Sequence, residues 1–246
     1  MSDTEQMGLP LEESLRRHVL APLVTAESVL IRESEEADTE RGAFEQFKRQ
    51  VAAVETVSDV SAVPSMRAPL HGGRSRAAER VRCAFRDTVM SVDHYDDVYG
   101  ESFIEHTAAE LSEEIAAGLR RDAHLRFTPL FKRTLIAAVD SAIDQRETFC
   151  TILAGERESL SGGRDGLLAI LDELDGTRVP AGIETDFTDA LDEIASQRQE
   201  TFAGRTALPR TDGHDLCNYL YTDCVWTYPV LTAVTRLRGA ANGVVT

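Results

Sequence analysis

The chain has 246 residues and a mass of 27.1 kDa, and 42% of its residues are hydrophobic, enough for a core and too many for a disordered tail. Acidic residues outnumber basic ones by 42 to 26, and the net charge of -16 sets the surface as a whole against nucleic acid and anionic membranes. Lys48 and Lys132 are the only lysines. An acid-rich, nearly lysine-free chain suits the cytoplasm of a halophile, where a Debye length of about 3 Å at 1 M salt quenches self-repulsion.

Apolar residues recur with helical spacing along nearly the whole chain, and the period-two runs of strands are missing, so the sequence predicts an all-α protein. The first helix runs from Leu11 or His18 to Val57, with Pro22 in its first turn or at a kink. Leu23, Leu30, Ala37, Phe44 and Val51 stand seven apart, with Phe47 and Val54 in the companion position, which makes a coiled-coil stripe. Between Glu33 and Arg41 the companion position is charged, which weakens the middle of the seam. Two prolines and a glycine pair predict a loop over about 58–75. A helix from Arg76 to Ser91 carries Val81, Phe85 and Val89; His94 to Gly100 is a turn; and a helix from Ser102 to Arg121 bears Ile104, Leu111, Ile115 and Leu119.

Thr128 and Pro129 read as an N-cap followed by proline at the first helical position. The second long helix starts there and carries Val139, Leu153, Leu160, Leu167 and Leu174 in one heptad frame, broken at Arg146. Gly162, Gly163 and Gly166 predict a kink or a break near Gly162, because each interior glycine costs about 1 kcal/mol against alanine. A helix from Phe187 to Phe202 follows. After a polar linker to Gly213 the last helix carries Leu216, Leu220, Trp226, Val230, Val234 and Leu237, bent by Pro229. The expected architecture is an antiparallel hairpin of two long, coiled-coil-like helices packed with a smaller helical bundle. It forms one domain over residues 1–246, with flexible ends at about 1–10 and 239–246.

Cys83, Cys150, Cys217 and Cys224 are too scattered for a disulfide framework. The acidic first residues lack the basic n-region and apolar h-region of a signal peptide. No stretch reaches the roughly 18 apolar residues of a membrane span; the closest, Asn218 to Leu237, is interrupted by Asp223 and Arg236.

Charge is patterned along the chain: residues 67–86 sum to +5 and residues 87–120 to -8. The basic island holds Arg67, Arg74, Arg76, Arg80, Arg82 and Arg86. Arg76 and Arg80, and again Arg82 and Arg86, lie one helical turn apart, the spacing with which a helix grips phosphates. Neutralisation by the adjoining acidic segment is the favoured reading, because counterion release gains little at high salt. In the acidic turn, Asp93, His94, Asp96, Asp97 and Glu101 match no EF-hand loop and read as helix-capping residues. His214 and Cys217 supply half a zinc site at most, and His106 with Glu110 is a single pair. His71-Gly72-Gly73 lacks the Gly-x-Ser-x-Gly elbow of a hydrolase, and neither phosphate-binding glycine motif is present. No cofactor, metal or catalytic residue is expected.

Tyr219, Tyr221, Trp226 and Tyr228 gather the only tryptophan and three of five tyrosines, which suits a core anchor or an interface, with the core favoured for Trp226. Two segments, Arg86 to Ser102 and Tyr219 to Leu231, together with the helix holding Phe44-Glu-Gln-Phe47, resemble an uncharacterised family of acidic helical proteins from haloarchaea. The resemblance implies fold and kind of organism and carries over no catalytic residue. The expected function is a cytoplasmic scaffold acting through a protein partner or self-association, by the seam or the C-terminal aromatic helix. Its rivals are a nucleic-acid regulator using Arg74 to Arg86 and, more weakly, a metal-dependent enzyme built on the Asp93 to Glu101 turn.

Overall fold

The computed structural model describes residues 11–57, 72–121, 123, 126–176, 184–203 and 216–244. Among them there is no strand: the chain is all-helical. The elements are α1 (Leu11–Ala52), α2 (Gly72–Thr88) with a 3-10 turn at Val89–Ser91, α3 (Tyr95–Val98), α4 (Phe103–Glu110), α5 (Glu113–Gly118), α6 (Pro129–Gly176), α7 (Glu184–Ala203), α8 (Leu216–Tyr221) and α9 (Pro229–Val244). Residues 1–10 and most of the expected loop, 58–71, lie outside the described residues. Packing gathers the chain into two units, residues 34–150 and, flanking them in sequence, residues 1–33 with 151–246. Each long helix gives one half to each unit.

In the 34–150 unit the second half of α1 runs antiparallel to the first half of α6. Lys48 pairs with Asp140, and Lys132 Nζ donates to the carbonyls of Ala52 (2.6 Å) and Val54 (2.8 Å). Both lysines of the chain thus tie these helices together. The ammonium on the last carbonyls also explains why α1 stops at Ala52 rather than Val57: a cation there satisfies orphan acceptors and opposes the negative end of the helix dipole. The seam residues Phe44, Phe47 and Val51 are buried with Leu135, Val139 and Ala142 of α6. Phe85 of α2 stands edge-on to Phe47 (5.1 Å between centroids) and Phe103 (5.5 Å).

The helix expected from Ser102 to Arg121 is two helices. Ser112 interrupts it with extended backbone and caps α5 by accepting the Ile115 N–H (3.2 Å), with Glu113 and Glu114 at the favourable N-terminal end. Ser102 forms a full capping box with Glu105 at the start of α4. Gly100, at φ +55°, takes the left-handed turn before it. Thr128 caps α6 as its sequence implies, accepting the Phe131 N–H (3.2 Å). Helix α2 opens at Gly72, four residues earlier than expected; glycine is admitted at a helix start far more readily than inside.

In the other unit the first half of α1 and the second half of α6 are again antiparallel, joined by Arg16–Asp172 and Glu27–Arg164 (2.9 Å). Leu23, Leu30, Leu153, Leu160 and Leu167 are buried, so the heptad stripes of both helices are spent inside the fold. Pro22 lies inside α1 rather than in its first turn. It has no N–H to give the carbonyl of His18 four residues back, and Arg236 Nη1 of α9 donates to that oxygen instead (2.5 Å).

Helix α6 runs unbroken through its glycines, against the expected break near Gly162. Packing accounts for this. A Cβ on Gly163 would lie 3.0 Å from Val230 Cγ1 of α9, and one on Gly166 would lie 2.9 Å from Ile194 Cδ1 of α7, so these two glycines are where neighbouring helices approach α6. The single bent C-terminal helix is also two, α8 and α9. Pro229 opens α9, in the position where its missing N–H costs nothing.

Candidate functional sites

The basic helix α2 divides its arginines. Arg76 and Arg80 are exposed, whereas Arg82 is buried; the side chain of Arg74 lies outside the described residues. Arg82 donates Nε and Nη2 to Glu79 Oε2 (Nε 3.0 Å) and Nη1 to the carbonyl of Leu119 (3.2 Å). The hydrogen bond from Arg82 holds the Glu79 carboxyl below the ordinary range. The charge that neutralises Arg82 therefore comes from its own helix, and the 87–120 segment contributes a backbone carbonyl. The Arg86 guanidinium lies over the Phe103 ring at 4.7 Å. Between these residues and the end of α5 is a pocket of about 310 Å³, lined by Arg82, Arg86, Ser102, Phe103, Ile104, Leu119, Arg120 and Arg121. Arg120 and Arg121 were no part of the sequence reading. Their signal was an adjacent basic pair ending an acidic stretch, and only the chain reversal after α5 brings it to α2.

The two charged defects in the heptad stripes meet inside the 34–150 unit. Arg146 Nε donates to Glu40 Oε2 (2.9 Å), Nη2 to Glu110 Oε2 (2.9 Å) and Nη1 to the Ala142 carbonyl (3.2 Å), and its guanidinium stacks on Phe44 at 4.3 Å. Tyr99 donates its hydroxyl to Glu40 Oε1 (2.7 Å), with His94 Nε2 3.1 Å from the same oxygen. Burial opposes the charge on Arg146, but Glu110 and Glu40 outweigh it and hold the guanidinium more firmly protonated than usual. Burial, with Glu40 beside it, drives the Tyr99 phenol well above its ordinary value; burial, with Glu101, pushes Tyr95 up to about 12. Glu40 accepts from several donors at once, which makes it an acceptor that fixes geometry.

A second buried cluster sits in the other unit. Arg198 grips Glu156 with both terminal nitrogens (3.0 and 2.6 Å) and donates Nη1 to Ser159 Oγ (2.7 Å), while Tyr221 donates its hydroxyl to Glu156 Oε1 (2.9 Å). Glu156 is wholly enclosed. Burial and the neighbouring Glu156 carboxylate raise the Tyr221 phenol far above its ordinary value. A pocket of about 310 Å³ lined by Gly155, Ser159, Gly162, Gly163, Arg198 and Val230, among others, adjoins it.

The aromatic segment is split by these placements. Tyr221 is core. Tyr219 is exposed, its hydroxyl 3.2 Å from Glu33 Oε2; Tyr228 is exposed, with Phe202 edge-on at 5.5 Å. Trp226 is half-buried in the irregular link between α8 and α9, where Arg236 covers its ring at 4.7 Å, so it does not belong to an apolar helix stripe. Val225 beside it is 86% exposed.

The acidic turn does not converge: Asp93, Asp96 and Asp97 face solvent, His94 turns to Glu40, and Glu101 meets His106 Nδ1 at 3.1 Å. His106 and Glu110 serve different partners, Glu101 and Arg146. His214 lies outside the described residues. Among the described residues no group of three His, Cys, Asp or Glu side chains is arranged to hold a metal ion, and no helix is long and apolar enough to cross a membrane.

Two long antiparallel helices packed with shorter ones, with charged clusters sealed among them, define an all-helical protein whose buried polar groups are mostly spent on one another. The chain belongs to the family described as Domain of unknown function (DUF7260), whose model matches residues 21–243. No curated protein and no solved structure matches it.

Proposed function

We propose that this protein is a non-catalytic interaction module that associates with a second copy of itself or with a protein partner through its C-terminal aromatic segment. The acidic, lysine-poor composition supports a cytoplasmic setting in a salt-rich, haloarchaeal cell. The observation that carries the reading is the exposure of three large hydrophobic side chains in and beside the link between α8 and α9: Val225 projects almost fully, and Tyr228 and Tyr219 are exposed nearby in sequence. The heptad seams, the other surface the sequence offered, are buried within the fold and unavailable to a partner. Sedimentation in high KCl tests it. A mass above that of one chain, or capture of one stoichiometric partner, reduced by Val225→Asp with Tyr228→Asp, supports the reading; a strict monomer that captures nothing refutes it.

The nucleic-acid reading keeps one observation in its favour, the exposed pair Arg76 and Arg80 on α2. A mobility shift that weakens as KCl rises is its signature, and no shift at any salt ends it.

A further inference from the structure

We propose that α1 pairs antiparallel with α1 of a second copy of this chain, through the face opposite its buried seam. This contact is separate from the interaction reading above, which rests on the link between α8 and α9.

Val19, Leu23, Ala26 and Leu30 bury one side of α1. On the other side Arg17, Ala21, Val24, Ser28, Ile31 and Glu35 follow one another in alternating steps of four and three residues, which keeps them on a single stripe of one uninterrupted helix. All are exposed except Ala21, which is half-buried. Val24 is 57% exposed and Ile31 47%, and no other helix among the described residues turns two large apolar side chains to solvent. Between Arg17 and Glu35 the stripe carries no charge, in a chain with 42 acidic residues. Its middle therefore suits an apolar partner.

Charge selects that partner and its direction. The stripe is positive at one end, at Arg17, and negative at the other, at Glu35. A second copy laid antiparallel sets Arg17 against Glu35 of the second copy at both ends, whereas a parallel copy stacks like on like. In that register Ala21 lies opposite Ile31 of the second copy and Val24 opposite Ser28 of the second copy. Each large side chain meets a small one, which lets the helices approach closely. Arg17 already holds Glu13 on its own helix, at 3.4 Å with both side chains exposed, and its fork keeps N–H groups for another carboxylate. Among the described residues the Glu35 carboxylate makes no ion pair. Glu27, which flanks the two-fold axis, is neutralised by Arg164 (2.9 and 3.1 Å to its two oxygens), so the copies do not repel there. Two large apolar side chains per copy are few beside the roughly 20–30 residues a side of a standard interface, so the dimer is weak and concentration-dependent.

Sedimentation equilibrium of the full chain in KCl tests this. The expected result is a reversible monomer–dimer equilibrium with a dissociation constant between about 10 μM and 1 mM. Val24→Glu/Ile31→Glu should weaken it by about tenfold or more with helix content unchanged by circular dichroism, since both side chains already face water and glutamate is the better helix former. In the lowest KCl that keeps the chain folded, Arg17→Glu and Glu35→Arg should each weaken the dimer by about fivefold, because the two-fold counts each change twice, and the Arg17→Glu/Glu35→Arg double variant should restore it to within about twofold. A monomer at every concentration overturns the proposal, as does a dimer indifferent to Val24→Glu/Ile31→Glu. A double variant no better than either single one overturns it too, because the ends then do not meet as opposites. Val225→Asp with Tyr228→Asp should leave this dimer intact; if that variant alone disperses it, self-association runs through the link between α8 and α9 and the α1 proposal falls.

Discussion

Pro22 and Arg236 show how a single missing hydrogen is made good. The carbonyl that Pro22 leaves without its helical donor is met by a guanidinium from a helix more than two hundred positions away in sequence, held in place by Trp226. Arg236→Ala should cost about 1 kcal/mol in urea unfolding, the worth of one such bond, and the cost should shrink in a Pro22→Ala background, where residue 22 recovers its own N–H. Equal costs in the two backgrounds would remove this explanation. Arg146 carries a larger load. Arg146→Met takes the guanidinium away from the carboxylates of Glu40 and Glu110 and should destabilise by about 3–5 kcal/mol; adding Glu40→Gln should recover part of the loss.

The buried phenols give a pH dependence whose sign is fixed. Tyr95, Tyr99 and Tyr221 all have folded values raised above 10, so the unfolded chain releases its protons first as pH climbs. Their contribution is complete below pH 10 and drains away above it, through about 12 for Tyr95 and higher for the others. Melting temperatures should therefore fall steeply on the alkaline side. Tyr99→Phe and Tyr221→Phe should each flatten that fall while lowering stability at neutral pH, because Glu40 and Glu156 each lose a donor.

Among the helices, neighbouring glycines of α6 should respond with opposite signs. Gly162→Ala and Gly155→Ala meet nothing within 4 Å and should stabilise by up to about 1 kcal/mol through helix propensity. Gly163→Ala should destabilise, because its methyl would press on the stiff, β-branched side chain of Val230. A uniform gain in chemical denaturation would show that α9 is free to shift. The contrast explains what the sequence could and could not convey. The heptad stripes of α1 and α6 and the Thr128 cap are local patterns, and they stand where spacing put them. The glycines looked like breaks because their partner helices, α7 and α9, come from elsewhere in the chain. Ser112 followed by two glutamates did carry a local signal for a second helix start, hidden by the apolar periodicity that continues across it; Ser112→Ala should cost about 1 kcal/mol.

The sites were readable by the same rule. The charged companion position between Glu33 and Arg41, where Glu40 stands, and the break at Arg146 were legible in the heptad frames, yet the frames alone could not say that these residues meet each other, Glu110 and Tyr99. Arg82 and Arg86 were visible as an island, but the pocket beside them is also lined by Arg120 and Arg121, some thirty-five positions on. At the scale of the whole molecule, the net charge of -16 predicts that thermal stability rises with KCl as self-repulsion is screened. A melting temperature indifferent to salt would argue against the halophilic reading.

Residues 34–150 sit in the middle of the chain, yet no linker marks either of their borders, because α1 and α6 pass through both as continuous helix. Neither unit is thus a cassette that gene rearrangement could lift out and splice elsewhere: a crossover at either border would sever a rod in mid-turn and leave both products with raw, uncapped ends.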